Sequence, residues 1–175
     1  MNQHVRATKA PASPPSDLDP PSLQWERLGD IAAELPPLFK RHWEELATHK
    51  DRVPLEPDWE KYFHLDFDGF LRIVTVRDNG LLVGYLFLIV GPGLHYASTL
   101  QAQVDMYWLD PLYRAGFFGV KLFKEAERYC KELGVQRLFT SEKVHFQRER
   151  GGMGVIFKRL GYDPQDVIWA KYIGS

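Results

Sequence analysis

The residues of this sequence best suited to bind an anion lie where an apolar run meets an amphipathic helix. The run "VDMYWL" stops at Asp110-Pro111, and a short turn follows before a helical pattern begins. The first turn of a helix has unpaired N–H groups and the positive end of the helix dipole, so phosphate binds there readily. We therefore predict an anion-binding turn, to which glycine gives close backbone access; tight turning without a ligand is the alternative. Its residues are Arg114, Ala115, Gly116, Phe117, Phe118, Gly119 and Val120.

The pattern around this turn predicts an α/β domain with a mixed sheet. Apolar residues at helical spacing predict two helices within 28–47, divided by Pro36-Pro37. Asn79-Gly80 predicts a tight hairpin turn between two strands. The predicted strands cover about 70–76, 81–90, 97–109, 135–144 and 166–173, and "GPG" at 91–93 ends the second. Two later helices should end at Gly134 and Gly161, and segment 56–69 is either a short helix or an aromatic loop.

Composition bounds the class of protein. With 175 residues, 45% of them hydrophobic, the chain can form one domain with a sizeable core, predicted over 23–175. Residues 1–22 hold five of the twelve prolines and are predicted to be a flexible arm. The net charge of -1 argues against nucleic acid as the main partner. Cys130, the single cysteine, excludes an internal disulfide and a multi-cysteine zinc site.

The sequence also lacks the usual marks of membrane or metal-binding proteins. No apolar run reaches the roughly 18 residues of a membrane span, and the N-terminus has no signal-peptide core. No two histidines have metal-ligand spacing, so no metal is expected. The resulting expectation is a soluble, cytoplasmic protein with no membrane partner.

Two motifs give the chain a family resemblance. "DPLYRAGFFGVKLFKEAERYCKELGVQRLF" resembles the acetyl-CoA-binding core of the GNAT N-acetyltransferase superfamily, with Pro111, Tyr113, Arg114 and Gly119 in register. The later "GVIFKRLGYDPQ" is similar to the second signature of that family. The resemblance covers roughly residues 24–173. It implies a mostly antiparallel sheet with helices on both faces, and acetyl-CoA as cosubstrate.

The resemblance also implies roles for residues of the third predicted strand. In the family, the backbone before the motif binds the acetyl and pantetheine portion, which corresponds to Trp108 and Leu109 here. Some positions depart from the pattern. Phe117 replaces the first motif glycine, and Gln103 stands at the usual place of the carboxylate base. Phe157 replaces a tyrosine that often serves as general acid, and Arg150 replaces a frequent asparagine.

Amine acetylation needs a base for the amine and a proton for the departing thiolate, and two residues are candidates. Asp105 is an unusual residue for a strand interior, and burial would raise its pKa toward a useful range. Strict alternation would put it on the same face as Gln103 and Tyr107, so Tyr107 is the candidate proton donor. A salt-bridged or rim role for Asp105 and a core role for Tyr107 are the alternatives.

Other residues have weaker claims to a role in the site. The histidines His95 and His145 could approach the acceptor from loops, although surface positions are more usual for such residues. Ser141 lacks a hydrolase nucleophile motif, and Cys130 is expected to be a small core residue. A basic set around the last helix could bind the CoA 3′-phosphate or an acidic acceptor, or simply face solvent. It consists of Lys143, Arg148, Arg150, Lys158 and Arg159.

The leading function is therefore transfer of acetyl from acetyl-CoA to a primary amine by direct attack. The acceptor, a small molecule or a protein, is not specified by the sequence. A GNAT-fold module that binds CoA or a partner protein without turnover is the alternative, and a nucleobase-modifying enzyme on the same fold is a further one. The segment "YRAGFFGVKLFKEAER" also resembles phage-encoded GNAT proteins, which implies the host cytoplasm as location. The oligomeric state, including a homodimer, stays open.

Overall fold

A five-stranded sheet forms the centre of the fold in the computed structural model, which describes residues 20–143 and 152–174. Its strands occur in the sheet in chain order, and all neighbours are antiparallel except the parallel pair at one end. This confirms the predicted mixed, mostly antiparallel sheet. The strands are β1 Ser22–Glu26, β2 Leu71–Asp78, β3 Leu81–Gly93, β4 Tyr96–Leu109 and β5 Arg137–Phe139.

Helices cover both faces of the sheet. They are α1 Leu28–Ile31, α2 Leu35–Leu46, α3 Trp59–Phe67, α4 Phe118–Glu132 and α5 Gly154–Arg159, with a 3₁₀ turn at Pro111–Tyr113. One buried cluster joins α1 and α2 to side chains such as Ile73 and Phe87, and α3 packs against it. The other cluster joins Phe123 of α4 and Phe157 of α5 to the opposite sheet face. Adjacent strand residues point to opposite faces, so the apolar strand β3 supplies both cores.

Glycine explains several of the element boundaries. Asn79 and Gly80 both have positive φ, 48° and 82°, as the tight hairpin turn between β2 and β3 requires. Gly134 ends α4 with φ of 79°, and the N–H of Val135 donates to the carbonyl of Cys130 at 2.8 Å. Gly161 ends α5 in the same way. Both helices therefore end in the paired hydrogen bonds of a Schellman motif, as the sequence predicts.

The structure differs from the sequence prediction at both ends of the described chain. β1 was not predicted: it begins at Ser22, within the segment assigned to the flexible arm, most of which lies outside the described residues. The predicted strand over 166–173 is wrong. That segment has no secondary structure, and Trp169 is 90% exposed. Strand propensity reflects fit to a neighbouring strand, and β5 offers an edge of only three residues.

Smaller corrections concern β3 and segment 56–69. "GPG" does not end β3, which continues through Gly93. Segment 56–69 contains the helix α3, whose first turn is capped by Asp58 accepting from the Lys61 N–H at 3.0 Å. No helix in the described part of the chain is long and apolar enough to cross a membrane.

Candidate active site

The turn before α4 and the first turn of that helix present a row of N–H groups. The first hydrogen bond into the helix is donated by Lys121 to the carbonyl of Phe117 at 2.8 Å. From Ala115 to Val120, no N–H group has a hydrogen-bond partner among the described residues, and no side chain caps the helix. A Cβ built on Gly119 would meet nothing within 4 Å, so the space in front of these groups is open. The arrangement suits a phosphate group.

The sheet opens next to this helix end. β4 and β5 pair only from Gln101 to Gln103, opposite Arg137 to Phe139. Beyond Gln103, β4 continues to Leu109 with no strand beside its outer edge in the described residues. The Tyr107 hydroxyl donates to the carbonyl of Ser141 at 3.3 Å, which bridges the two diverging chains. An extended ligand could therefore lie along the free edge of β4, where the Trp108 and Leu109 backbone was predicted to bind pantetheine.

Arg114 fixes the end of β4 to α2. Its guanidinium forms a two-pronged ion pair with Glu45 and donates to the Leu109 carbonyl at 2.7 Å. Glu45 also accepts from the Trp108 indole at 3.0 Å, and Arg41 pairs with Asp110 at 2.8 Å. The backbone N–H of Arg114 donates to Pro111. These contacts hold the Arg114 guanidinium between α2 and the end of β4, and its role in cofactor binding stays a prediction.

A β-bulge separates the two predicted catalytic residues. Met106 lies opposite Phe87 and Val104 opposite Leu88, so Asp105 is the extra residue in β4. The bulge interrupts the alternation of side chains. Asp105 faces Tyr62 of α3, whereas Tyr107 packs in the core of α4 and α5. The prediction that the two share one face is therefore wrong.

Asp105 and Tyr62 form a polar pair next to the aromatic cluster of α3. The Tyr62 hydroxyl lies 3.5 Å from the Asp105 carboxylate, at the outer limit of a hydrogen bond. Partial desolvation raises the pKa of Asp105, and the Tyr62 hydrogen bond opposes this in part. Asp105 keeps an exposed side chain, so an incoming amine can reach it. A carboxylate with a raised pKa is a plausible proton acceptor.

Tyr107 lies between the opened strands and α4. Its ring contacts Phe123 edge-on at 5.0 Å and Phe157 at 6.4 Å. Burial raises the pKa of Tyr107 far above its ordinary value, so the phenol stays protonated at neutral pH. Phe157, which replaces the tyrosine of the family pattern, is 7% exposed and is a packing residue here. Tyr107 is thus a protonated phenol beside Phe157, and its hydroxyl lies at the opening, where it donates to the Ser141 carbonyl.

A cavity of about 380 Å³ lies on the Asp105 side of β4, between α2, the α2–α3 loop and α3. Tyr62, Met106 and Lys143 are among the residues that line it. His42 also lines it, and its Nδ1 is 2.8 Å from the Tyr85 hydroxyl. Desolvation lowers the pKa of His42 to about 4, so this imidazole is neutral at pH 7. The cavity is a candidate acceptor site.

Comparison with known proteins identifies the family. The model of the Acetyltransferase (GNAT) family matches residues 32–151. The chain belongs to the GNAT family. We found no matching sequence among curated proteins.

Solved structures share the GNAT fold at low sequence identity. A ribosomal-protein-alanine N-acetyltransferase from Brucella melitensis biovar Abortus 2308 has a TM-score of 0.64 at 16% identity, covering 89% of this chain and 100% of that chain. An aminoglycoside acetyltransferase from an uncultured soil metagenomic sample has a TM-score of 0.67 at 16% identity, covering 88% of this chain and 97% of that chain. A predicted acetyltransferase with acetyl-CoA from Clostridium acetobutylicum has a TM-score of 0.61 at 12% identity, covering 87% of this chain and 96% of that chain. At such identities the likeness shows the fold alone.

The GNAT cosubstrate is acetyl-CoA, and the described residues fit it. The N–H groups from Ala115 to Val120 have no partner among the described residues, and the space over Gly119 would be filled by a side chain. Phe117, at the place of the first motif glycine, is exposed. The turn can therefore hold the pyrophosphate, and the free edge of β4 can hold the pantetheine arm.

Several residues considered from the sequence lie away from this GNAT site or outside the described residues. His95 is exposed in the β3–β4 turn, at the far end of β4. His145, Arg148 and Arg150 lie outside the described residues. Cys130 is buried in the α4 core, as predicted, and burial raises the pKa of its thiol to about 11. In the described part of the chain, no group of three acidic, histidine or cysteine side chains is placed to hold a metal ion.

Sequence reasoning missed the residues of the site that come from α2. His42 contacts β3 from 43 positions away in the chain, and Glu45 contacts the end of β4 from 63 positions away. One signal was available: the helical spacing of α2 brings polar residues to the same side as its core-facing ones. Which residues of β4 they meet depends on the tertiary packing.

Proposed function

We propose that this protein is an acetyl-CoA-dependent N-acetyltransferase that acts on a primary amine. The observation that carries this proposal is the row of N–H groups from Ala115 to Val120, open to solvent over Gly119 and adjacent to the free edge of β4. The family supports acetyl transfer. The cavity lined by Tyr62, the partner of Asp105, supports an acceptor amine that approaches β4 from the side of α2 and α3.

The chemistry follows from which groups face each side of β4. Acetyl-CoA supplies an acetyl thioester. The amine nitrogen attacks the thioester carbonyl carbon, the C–N bond forms, and the C–S bond breaks without an intermediate bound to the protein. Asp105 accepts the proton that the amine loses, because its raised pKa brings its basicity closer to that needed. Tyr107 stays protonated because burial raises its pKa, so its hydroxyl can donate a hydrogen bond to the departing thiolate, which takes up its proton from solvent.

A second candidate is a CoA-binding module without turnover. Two observations favour it: Gln103 occupies the usual place of the base, and the buried Phe157 replaces the usual acid. This module would bind CoA at the same turn, so cofactor binding alone does not separate the two candidates.

Calorimetric titration followed by a turnover assay tests both. Acetyl-CoA and free CoA should each bind the purified protein with micromolar affinity, and addition of amines should release free thiol from acetyl-CoA. Binding without thiol release for a broad panel of amines would favour the module. Failure of a folded sample to bind either compound would overturn the proposed site itself.

A further inference from the structure

The walls of the acceptor cavity are largely apolar and aromatic. At about 380 Å³, the cavity is near the lower end of the range for small-molecule sites. Its volume therefore suits a compact ligand. Six large side chains form the apolar wall: Phe39, Trp43, Leu46, Leu55, Tyr62 and Met106.

The charged groups around this wall match a single positive charge. Glu56 lines the cavity, and Asp105 lies behind the lining residue Tyr62, 3.5 Å from its hydroxyl. Among the described lining residues, Lys143 is the one cationic side chain, because His42 is neutral at pH 7. A ligand with several ammonium groups would place some of them against apolar side chains or near Lys143. Burying an unpaired charge is costly, so the site disfavours polycations.

We propose that the acceptor is a small monoamine that carries an aromatic or similarly flat apolar group. The apolar group packs against Trp43 and Leu46, while the amine lies toward Tyr62 and Asp105. This inference specifies the acceptor of the proposed function, and it rests on that function for the acetylation of the bound amine. Trp43 is then a residue that determines specificity, since it recognises the part of the acceptor that does not react.

Three amines that differ in their apolar group or their charge test the proposal. We expect kcat/KM with acetyl-CoA to be at least about 10-fold higher for phenethylamine than for ethylamine, because a buried ring gains the free energy of a core aromatic side chain. Spermidine, a polycation, should be a poorer acceptor than phenethylamine. Thiol release reports turnover cleanly, since Cys130 is buried and its pKa is raised to about 11.

Variants locate the preference within the cavity. Trp43→Ala should reduce the ratio of phenethylamine to ethylamine turnover to within about 3-fold of unity. Leu55→Ser, in a loop position that is 37% exposed, should lower the ratio without threatening the fold. Trp169→Ala is the matched control, because Trp169 is 90% exposed after α5 and should leave the ratio unchanged.

The failure of this inference differs from failure of the proposed function. Equal kcat/KM for phenethylamine and ethylamine, or a preference for spermidine, would overturn the substrate class while leaving acetyl transfer intact. If no amine is acetylated, the proposed acetyl transfer is refuted. Calorimetric titration with phenethylamine then tests whether the cavity binds an aromatic monoamine. Saturable binding that Leu55→Ser and Trp43→Ala weaken would support the cavity's preference, and no binding would overturn it.

Discussion

A side chain at Gly119 should block the cofactor without harming the fold. Gly119 lies in the first turn of α4, where the N–H groups have no intrahelical partner. A Cβ at this position meets nothing within 4 Å, so valine enters open space and displaces no neighbour. That open space is where a pyrophosphate must lie if it is to reach the N–H groups. Gly119→Val therefore puts apolar atoms in the position proposed for the anion.

Gly119→Val should change the affinity for CoA much more than it changes the stability of the fold. A hydrogen bond to a charged group contributes about 1.5–3 kcal/mol, so losing one such bond weakens CoA binding by roughly 10- to 150-fold. Glycine disfavours a helix by about 0.5–1 kcal/mol relative to alanine, so replacing it with valine should leave stability unchanged or slightly higher. Lost affinity with retained stability is the predicted combination.

Calorimetric titration with CoA and thermal unfolding of the same samples measure both effects. Gly29→Val is the matched control: this glycine is exposed in α1, and a Cβ there also meets nothing within 4 Å. Acetyl-pantetheine lacks the pyrophosphate, so its affinity should be insensitive to Gly119→Val. If the Gly119 variant binds CoA within 2-fold of the parent, the pyrophosphate does not lie over this turn and the reasoning is refuted.

Three further perturbations test other parts of the site. Asp105→Asn should lower kcat at neutral pH by at least about 10-fold with little change in CoA affinity, and should remove the fall in rate as pH drops through the raised pKa of Asp105; an unchanged pH–rate profile would exclude it as the base. Arg114→Ala and Glu45→Gln should each weaken CoA binding several-fold, and the double variant should be no worse than either; additive losses would mean that Arg114 contacts the phosphate directly. For His42, the lowered pKa of about 4 means that the unfolded chain binds the proton more tightly, so stability should fall by roughly 2–3 kcal/mol as pH drops from 6.5 to 4. His42→Gln should flatten this decline in urea unfolding, and a decline of equal size in the variant would contradict the assignment.

Local patterns were sufficient to predict most elements of the fold. The Asn79-Gly80 turn, the split of the first helices at Pro36-Pro37 and the glycine stop of α4 depend on neighbouring residues alone, and the structure shows all three. The unpaired N–H groups in the first turn of α4 are likewise predictable from neighbouring residues. Backbone donors there lack partners in any helix, so their availability follows from where the helix begins.

Contacts between distant segments were not predictable in this way. Nothing near Arg114 in the sequence predicts its ion pair with Glu45, which is 69 positions earlier in the chain. β1 is held by pairing with β2, and its five residues carry too little pattern to reveal it. The apolar segment 166–173 has the composition of a strand, yet strand formation requires a neighbour to accept its hydrogen bonds.

The bulge at Asp105 was not predicted, and this omission has the largest consequence for the mechanism. Strict alternation would have put Asp105 and Tyr107 on one face, where base and acid would compete for one space. The extra residue instead places Asp105 beside the acceptor cavity and Tyr107 beside the opening between β4 and β5. In the proposed reaction the amine loses a proton and the sulfur gains one, and the bulge directs a carboxylate and a phenol of one strand to different faces of the sheet. A single irregularity in β4 thus separates two side chains that strict alternation would have placed together.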